Sequence, residues 1–225
     1  MKKPKKKNQR SNCSLFNFKF TPKHLLSGFS ICFISAKIET ILIYMTKTII
    51  AFVGMPGAGK SEAVSYLQQQ GFARVYFGGT VLEEVKKQGL EVNFENEKQV
   101  REEIRQKHGM AAMAILNLEN IKKAGDKVVI DGIYSWDEYK VLAGEFGDDL
   151  IAVAITAPRK FRYQRLANRP ERPLTKEQVQ ARDYAEIENI AKGGPIAIAD
   201  YTIVNDGSLE DLHRSIDNIL KKLDE

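Results

Sequence analysis

The stretch Gly54-Met-Pro-Gly-Ala-Gly-Lys60-Ser61 leaves the backbone few paths, and it follows directly on the apolar run Thr48 to Val53. Glycines at 54, 57 and 59 let the chain curl so that successive N–H groups converge on one anion. Lys60 brings a flexible cation to the outer phosphates of a nucleotide, and the Ser61 hydroxyl is of the kind that ligates Mg²⁺. A helix beginning here points its N-terminus at the same negative charge. Average residue frequencies put a chance match to this pattern in a chain this long at on the order of one in a hundred. Gly54, Pro56, Gly57, Ala58, Gly59, Lys60 and Ser61 are therefore the expected contacts to the phosphates of ATP, with Lys60 also acting on the phosphate that moves.

A second apolar strand, Lys127 to Ile130, runs into Asp131. A carboxylate at the carboxyl end of a strand beside the first is placed to hold Mg²⁺ through water. Asp131 joins Ser61 as an expected metal residue, although Asp131-Gly132 also reads as the opening of a turn.

From Thr48 onward, strands alternate with helical patterns. Strands are expected at 48–53, 74–77, 127–130, 150–155 and 201–204. Helices are expected at 62–70, 80–88, 159–168, 175–191 and 209–223, with one or two more between 95 and 123, punctuated near Gly109. Such alternation predicts an α/β fold with a parallel sheet and helical crossovers.

The fourth strand is followed by Arg159, Arg162, Arg165, Arg169 and Arg172, with prolines at 170 and 173. Phosphoryl transfer spreads negative charge over the moving group, and cations on a small lid stabilise it. Arg162, Arg165, Arg169 and Arg182 are the expected catalytic arginines. The plainer alternative is a solvated basic helix paired with Glu177, Glu186 and Glu188.

Together these stretches resemble the P-loop kinases of small metabolites, the nucleoside monophosphate and dephospho-CoA kinases, and an archaeal and bacterial nucleotide-kinase-like group among them. The resemblance spans about residues 47 to 223. It rests on 54–61, on Val-Ile-Asp-Gly-Ile at 129–133, on Ala157-Pro158 with its arginines, and on Ala-Asp-Tyr-Thr-Ile-Val-Asn-Asp-Gly-Ser-Leu-Glu at 199–210. It implies a three-layer P-loop fold whose five parallel strands run in the order 2-3-1-4-5, with a short Arg-rich lid. It also implies transfer of the ATP γ-phosphate to a small anionic acceptor, and it places Asn205, Asp206 and Gly207 beside the adenine.

The chain departs from such kinases where the acceptor should bind. Gly78-Gly79 and Leu82 stand where a Gly-Asp and an arginine are usual, and Tyr134 follows Ile133 where an arginine is common. Arg101 and Arg105 are the substitutes expected to grip an anionic acceptor, with aromatic contact near Tyr134. An ATP-dependent phosphotransferase is the leading reading. The alternative is an ATP-binding regulatory protein that kept the phosphate loop and lost acceptor recognition.

Charge is unevenly distributed. Residues 1–44 carry nine Lys or Arg against one acid, Glu39, which leaves 25 basic and 28 acidic residues in 45–225. The domain is therefore not expected to bind nucleic acid. Cys13 and Cys32 both precede Met45, so 45–225 has no cysteine for a disulfide or a metal site, which suits a cytoplasmic protein. The apolar stretch at 25–36 falls short of the roughly 20 residues a membrane span needs. Residues 1–44 are read as a start-site artefact, a disordered tail or a targeting element, and 45–225 as the folded domain. His108 and His213 show no ligand spacing, and Ser65 and Ser208 have no visible His–Asp partners for hydrolysis.

Overall fold

Thr48–Val53 forms β1 because every residue after Thr48 is apolar and buried, the pattern of a strand covered on both faces. In the computed structural model, which describes residues 47–170 and 173–225, β1 is the centre of a five-stranded sheet. The other strands are β2 (Ala73–Tyr76), β3 (Lys127–Asp131), β4 (Leu150–Thr156) and β5 (Tyr201–Val204). All pairings are parallel, and the order is β2-β3-β1-β4-β5, as the resemblance implied. The expectation for residues 1–44 lies outside the described residues.

Among the described residues the α-helices are α1 (Lys60–Gln69), α2 (Phe77–Lys87), α3 (Phe94–His108), α4 (Ala112–Lys123), α5 (Trp136–Phe146), α6 (Arg159–Ala167), α7 (Lys176–Glu188), α8 (Gly193–Ala197) and α9 (Leu209–Leu223). They form layers on both faces of the sheet. Ile49, Ala51 and Val53 turn toward Phe77, Val85, Val100, Met113 and Leu142. Ile50 and Phe52 turn toward Val64 and Leu67 of α1 and Leu212, Ile216 and Ile219 of α9. Burying each of those large side chains contributes about 1.5–3 kcal/mol, so α9 is held by one apolar stripe.

Boundaries shift where tertiary burial overrides local preference. The second helix was expected from Thr80 because Gly78 and Gly79 are poor helix formers. It begins at Phe77, which is fully buried. Gly78 has a reason to lack a side chain: a Cβ there would lie 2.3 Å from the Tyr76 ring. Helix α5 was not foreseen, although its signal is in the sequence. Ser135 caps the backbone N–H of Glu138, and the Glu138 carboxylate bonds back to the Ser135 N–H, a complete capping box.

Candidate active site

The phosphate loop sits at the carboxyl end of β1. Three glycines hold it there because nothing larger fits. A Cβ on Gly54 would meet the Ile155 carbonyl oxygen at 2.2 Å, one on Gly57 the Arg162 carbonyl oxygen at 2.7 Å, and one on Gly59 the Asn205 Nδ2 at 2.2 Å. Gly57 and Gly59 also adopt φ of +78° and +110°, a region that disfavours residues with a Cβ. Pro56 and Ala58 are buried beneath the loop. Lys60 opens α1 and folds back, its Nζ donating to the carbonyls of Gly54 (2.7 Å) and Met55 (3.1 Å). Ser61 is exposed in the first turn of the same helix, whose leading N–H groups have no helical acceptors.

Burial pushes the Lys60 ammonium down to about 7, with nearby Lys192 adding to the fall and Glu186 opposing it. An anion against Lys60 favours the charged form.

The arginines divide by occupation. The Arg162 guanidinium is buried and forms a fork on Asp183 at 2.9 and 2.6 Å while also donating to the Pro56 carbonyl at 2.9 Å. Arg162 therefore braces the back of the loop with a fully engaged fork. Arg165 donates to the Asn205 carbonyl at 3.1 Å and the Asn205 side-chain oxygen at 3.3 Å. Asn205 in turn donates to the Ala58 carbonyl at 2.7 Å. Asn205 is buried with its amide engaged, so it clips the loop, while Asp206 and Gly207 are exposed beside it. Arg169 is exposed, with no hydrogen bond or ion pair among the described residues. Arg182 is half-exposed, and its Nε donates to Glu186 at 3.0 Å.

Asp131 ends β3 beside β1, in register with Tyr76 of β2. One of its oxygens, Oδ2, accepts from Arg74 Nε at 3.0 Å and also from Arg74 Nη2. The other shows no partner among the described residues. An exposed hydroxyl on Ser61 and one free carboxylate oxygen on Asp131 form an all-oxygen donor set. That suits Mg²⁺, which takes few protein ligands and completes its shell with phosphate and water. The residues therefore fit the ion. Ser61 and Asp131 would hold it, and it would neutralise charge on the phosphates.

Beyond the Asp131-Gly132 turn, Glu138 links two of the expected acceptor residues, Arg105 and Tyr134. Arg101 and Arg105 project from the same face of α3, four residues apart. Arg105 lies 3.9 Å from Glu138, a fully buried carboxylate that also accepts from the N–H groups of Tyr134 (2.7 Å) and Ser135 (3.1 Å). Arg105 Nε and Glu138 Oε1 have no hydrogen-bond partner among the described residues. Burial raises the Glu138 carboxyl above its usual range and lowers Arg105. Tyr134 is pushed up to about 12, chiefly by burial and then by Asp131, so its hydroxyl stays protonated. Trp136 and Tyr139 stack on each other at 5.4 Å. Next to Arg74 is a polar hollow of about 340 Å³ that also meets Tyr76, Thr80, Asn117 and Asn120.

Sequence reasoning missed Arg74, Glu138, Asp183 and Lys192, and it named Glu186 only as an ion-pair partner of the basic residues, a pairing that Arg182 makes. Glu138 carried a local signal, the Ser-x-x-Glu spacing. Arg74 and Asp183 act through partners distant in sequence, and Lys192 through Glu186 and the Tyr134 ring.

A UPF0200 protein from Thermococcus kodakarensis is 38% identical over 185 residues, covering 78% of this chain and 100% of that relative. The chain belongs to the UPF0200 family. A UPF0200 protein from Thermococcus gammatolerans is 36% identical over 181 residues, covering 78% of this chain and 95% of the relative. A family model described as an AAA domain matches residues 50–187, so this UPF0200 member also belongs to that P-loop family. Among solved structures, TT1252 from Thermus thermophilus superposes with a TM-score of 0.58 at 19% identity, covering 79% of this chain and 98% of that one. A shikimate kinase from Acinetobacter baumannii in complex with shikimate gives 0.52 at 21% identity, covering 80% and 97%. These two likenesses show a P-loop kinase-type fold. Among the described residues no helix is long and apolar enough to cross a membrane.

Proposed function

We propose that this UPF0200 protein is an ATP-dependent phosphotransferase acting on a nucleotide or a similar small phosphorylated metabolite in the cytoplasm. The observation that supports the reading is the position of Asp131. Its charge acts both on Lys60 of the phosphate loop and on Tyr134, which connects through Glu138 to Arg105. Such an arrangement brings donor and acceptor anions to one carboxylate and its metal. Catalysis would then be positioning and charge neutralisation. An acceptor oxyanion forms a bond to the γ-phosphorus, the bond to the β-phosphate oxygen breaks, and ADP leaves with the electron pair. Lys60 and the unengaged Arg169 face the charge on the moving group. Asp206 and Gly207 line the base side, and Asn205 supports them.

A second reading has its own support. Glu138 already neutralises Arg105 in part, and Leu82 and Tyr134 replace arginines that would fork on an acceptor phosphate. An ATP-binding regulatory protein without a small-molecule acceptor fits those residues. A screen of nucleoside monophosphates and dephospho-CoA for ATP-dependent phosphorylation separates the two. The phosphotransferase reading expects one acceptor to turn over, AMP to be poor, and Arg105→Ala to reduce acceptor turnover with ATP affinity little changed. ATP binding with no acceptor phosphorylated would favour the regulatory reading.

A further inference from the structure

Lys192 is the most deeply placed cation on the acceptor side, only 2% exposed. Its ammonium donates to Glu186 Oε2 and lies 4.9 Å from the centre of the Tyr134 ring. The other oxygen of the same carboxylate accepts from Arg182 at 3.0 Å. One partly buried anionic group is thus clamped between two cations, beside the tyrosine that follows the Asp131 turn.

The backbone is bent to achieve this. Ala191 has φ +48°, the one non-glycine residue with positive φ among the described residues. The Lys192 N–H returns to the Glu186 carbonyl at 3.1 Å, six residues back, which closes a wide turn just past the C-terminus of α7. Glycine takes a left-handed position at least cost, and glycines stand at 193 and 194, yet here alanine does. The Ile190 carbonyl accepts from the Trp136 N–H at 3.2 Å, which ties the bend to the start of α5. A Cβ on Gly194 would sit 2.8 Å from the Trp136 ring, so the segment presses against that indole.

Packing alone does not account for the arrangement. A lysine buried with one carboxylate gains little over an apolar residue of the same size. Here it also faces other cations. Burial lowers Lys192, with Glu186 opposing the fall and Arg182 adding to it, and Lys192 and Lys60 repel each other. Cations gathered at a strained bend point to an anion that arrives from outside.

We propose that Lys192 and Arg182 form the receptor for the anionic group of the acceptor, and that Glu186 occupies that receptor until the acceptor displaces it. This inference rests on the phosphotransferase reading and names the acceptor's chemistry: a phosphate monoester or a carboxylate, held by an ammonium and a guanidinium. It supplies the positive charge missing at Leu82 and Tyr134 from a different element of the fold.

The test uses the full chain. A non-hydrolysable ATP analogue is bound first, with Mg²⁺, to fill the phosphate loop. Inorganic phosphate or acetate is then titrated while the fluorescence of Trp136, the single tryptophan, is followed. Saturable binding of one anion is expected, phosphate marking a phosphate monoester and acetate a carboxylate. Lys192→Met should weaken it about 10- to 100-fold, the scale of one charge-assisted hydrogen bond, and Lys192→Arg should restore most of it. Affinity for the ATP analogue should not fall in Lys192→Met, since Lys192 opposes the charge on Lys60. Glu186→Gln removes the internal competitor and should tighten anion binding by about tenfold or less, whereas a merely structural ion pair would lose stability and gain no affinity. No saturable binding of either anion to the wild type would overturn the proposal, as would equal affinity in folded Lys192→Met or no tightening in folded Glu186→Gln. Failure to bind the ATP analogue would instead overturn the phosphotransferase reading. The anion titration then proceeds without the analogue and still decides the role of Lys192.

Discussion

The phosphate loop and the proposed acceptor region are built on opposite principles. On the phosphate side the recognition surface is backbone, and side chains serve as braces. Arg162 and Asp183 pin the loop from behind, Asn205 and Arg165 clip it from the flank, and glycines clear the space. On the proposed acceptor side the surface is side chain, and charges are matched internally: Arg74 with Asp131, Arg105 with Glu138, Lys192 and Arg182 with Glu186. A backbone cradle suits a ligand common to many proteins, and its specificity is generic. Matched side-chain charges suit a ligand particular to this one, whose anionic group would compete with a carboxylate for its cation.

The sharpest way to break that contrast is Lys60→Ala. Turnover should fall by about 10²- to 10³-fold, the scale for removing one electrostatic contact to the transition state, while thermal unfolding is little changed. Unaltered turnover in the folded variant would take Lys60 out of the site.

Next in size is a comparison of two arginines on the same side. Arg162→Ala leaves Asp183 as a buried, unpaired charge and should cost about 3–5 kcal/mol of stability, read from a denaturant melt. Arg169→Ala should leave the melt nearly unchanged and lower turnover. If Arg162→Ala melted like the wild type, the brace would not be one.

A pH series gives a smaller effect. Lys60 titrates near 7 in the folded protein, and a bound triphosphate favours its charged form. ATP affinity should therefore be greatest below pH 7 and fall as pH rises through it, by at most about tenfold per pH unit. Lys60→Arg should flatten that dependence. Stability runs the other way. The unfolded chain holds the Lys60 proton up to its ordinary value of 10.5 and the folded one does not, so this residue makes the protein more stable as pH rises from about 7 toward 10.5.

The smallest expected effect is a gain. Ala191→Gly relieves the left-handed strain at a modest entropic cost and should stabilise the protein by about 0.5–1 kcal/mol. A loss of stability would mean that the Ala191 methyl group contributes packing.

The sequence alone determined the sheet, the phosphate loop and the placing of Asp131 at a strand end. These are encoded locally: apolar runs of strand length, glycines whose φ values only the loop requires, and a lysine and serine at fixed spacing from them. It also suggested Arg101, Arg105 and Tyr134 as acceptor residues, through a resemblance and the gaps in it. Only the tertiary structure decided what each charge does. Arg162 and Arg165 look alike in sequence, yet Asp183, 21 residues on, turns the first into a buried brace, and Asn205 turns the second into a clip. Lys192 had no signal, because its setting comes from Glu186, the Tyr134 ring and a bend at Ala191 that local preference disfavours. Backbone geometry depends on near neighbours and so is written in short stretches of chain. The role of a charge depends on which other charges the fold brings within a few ångströms of it.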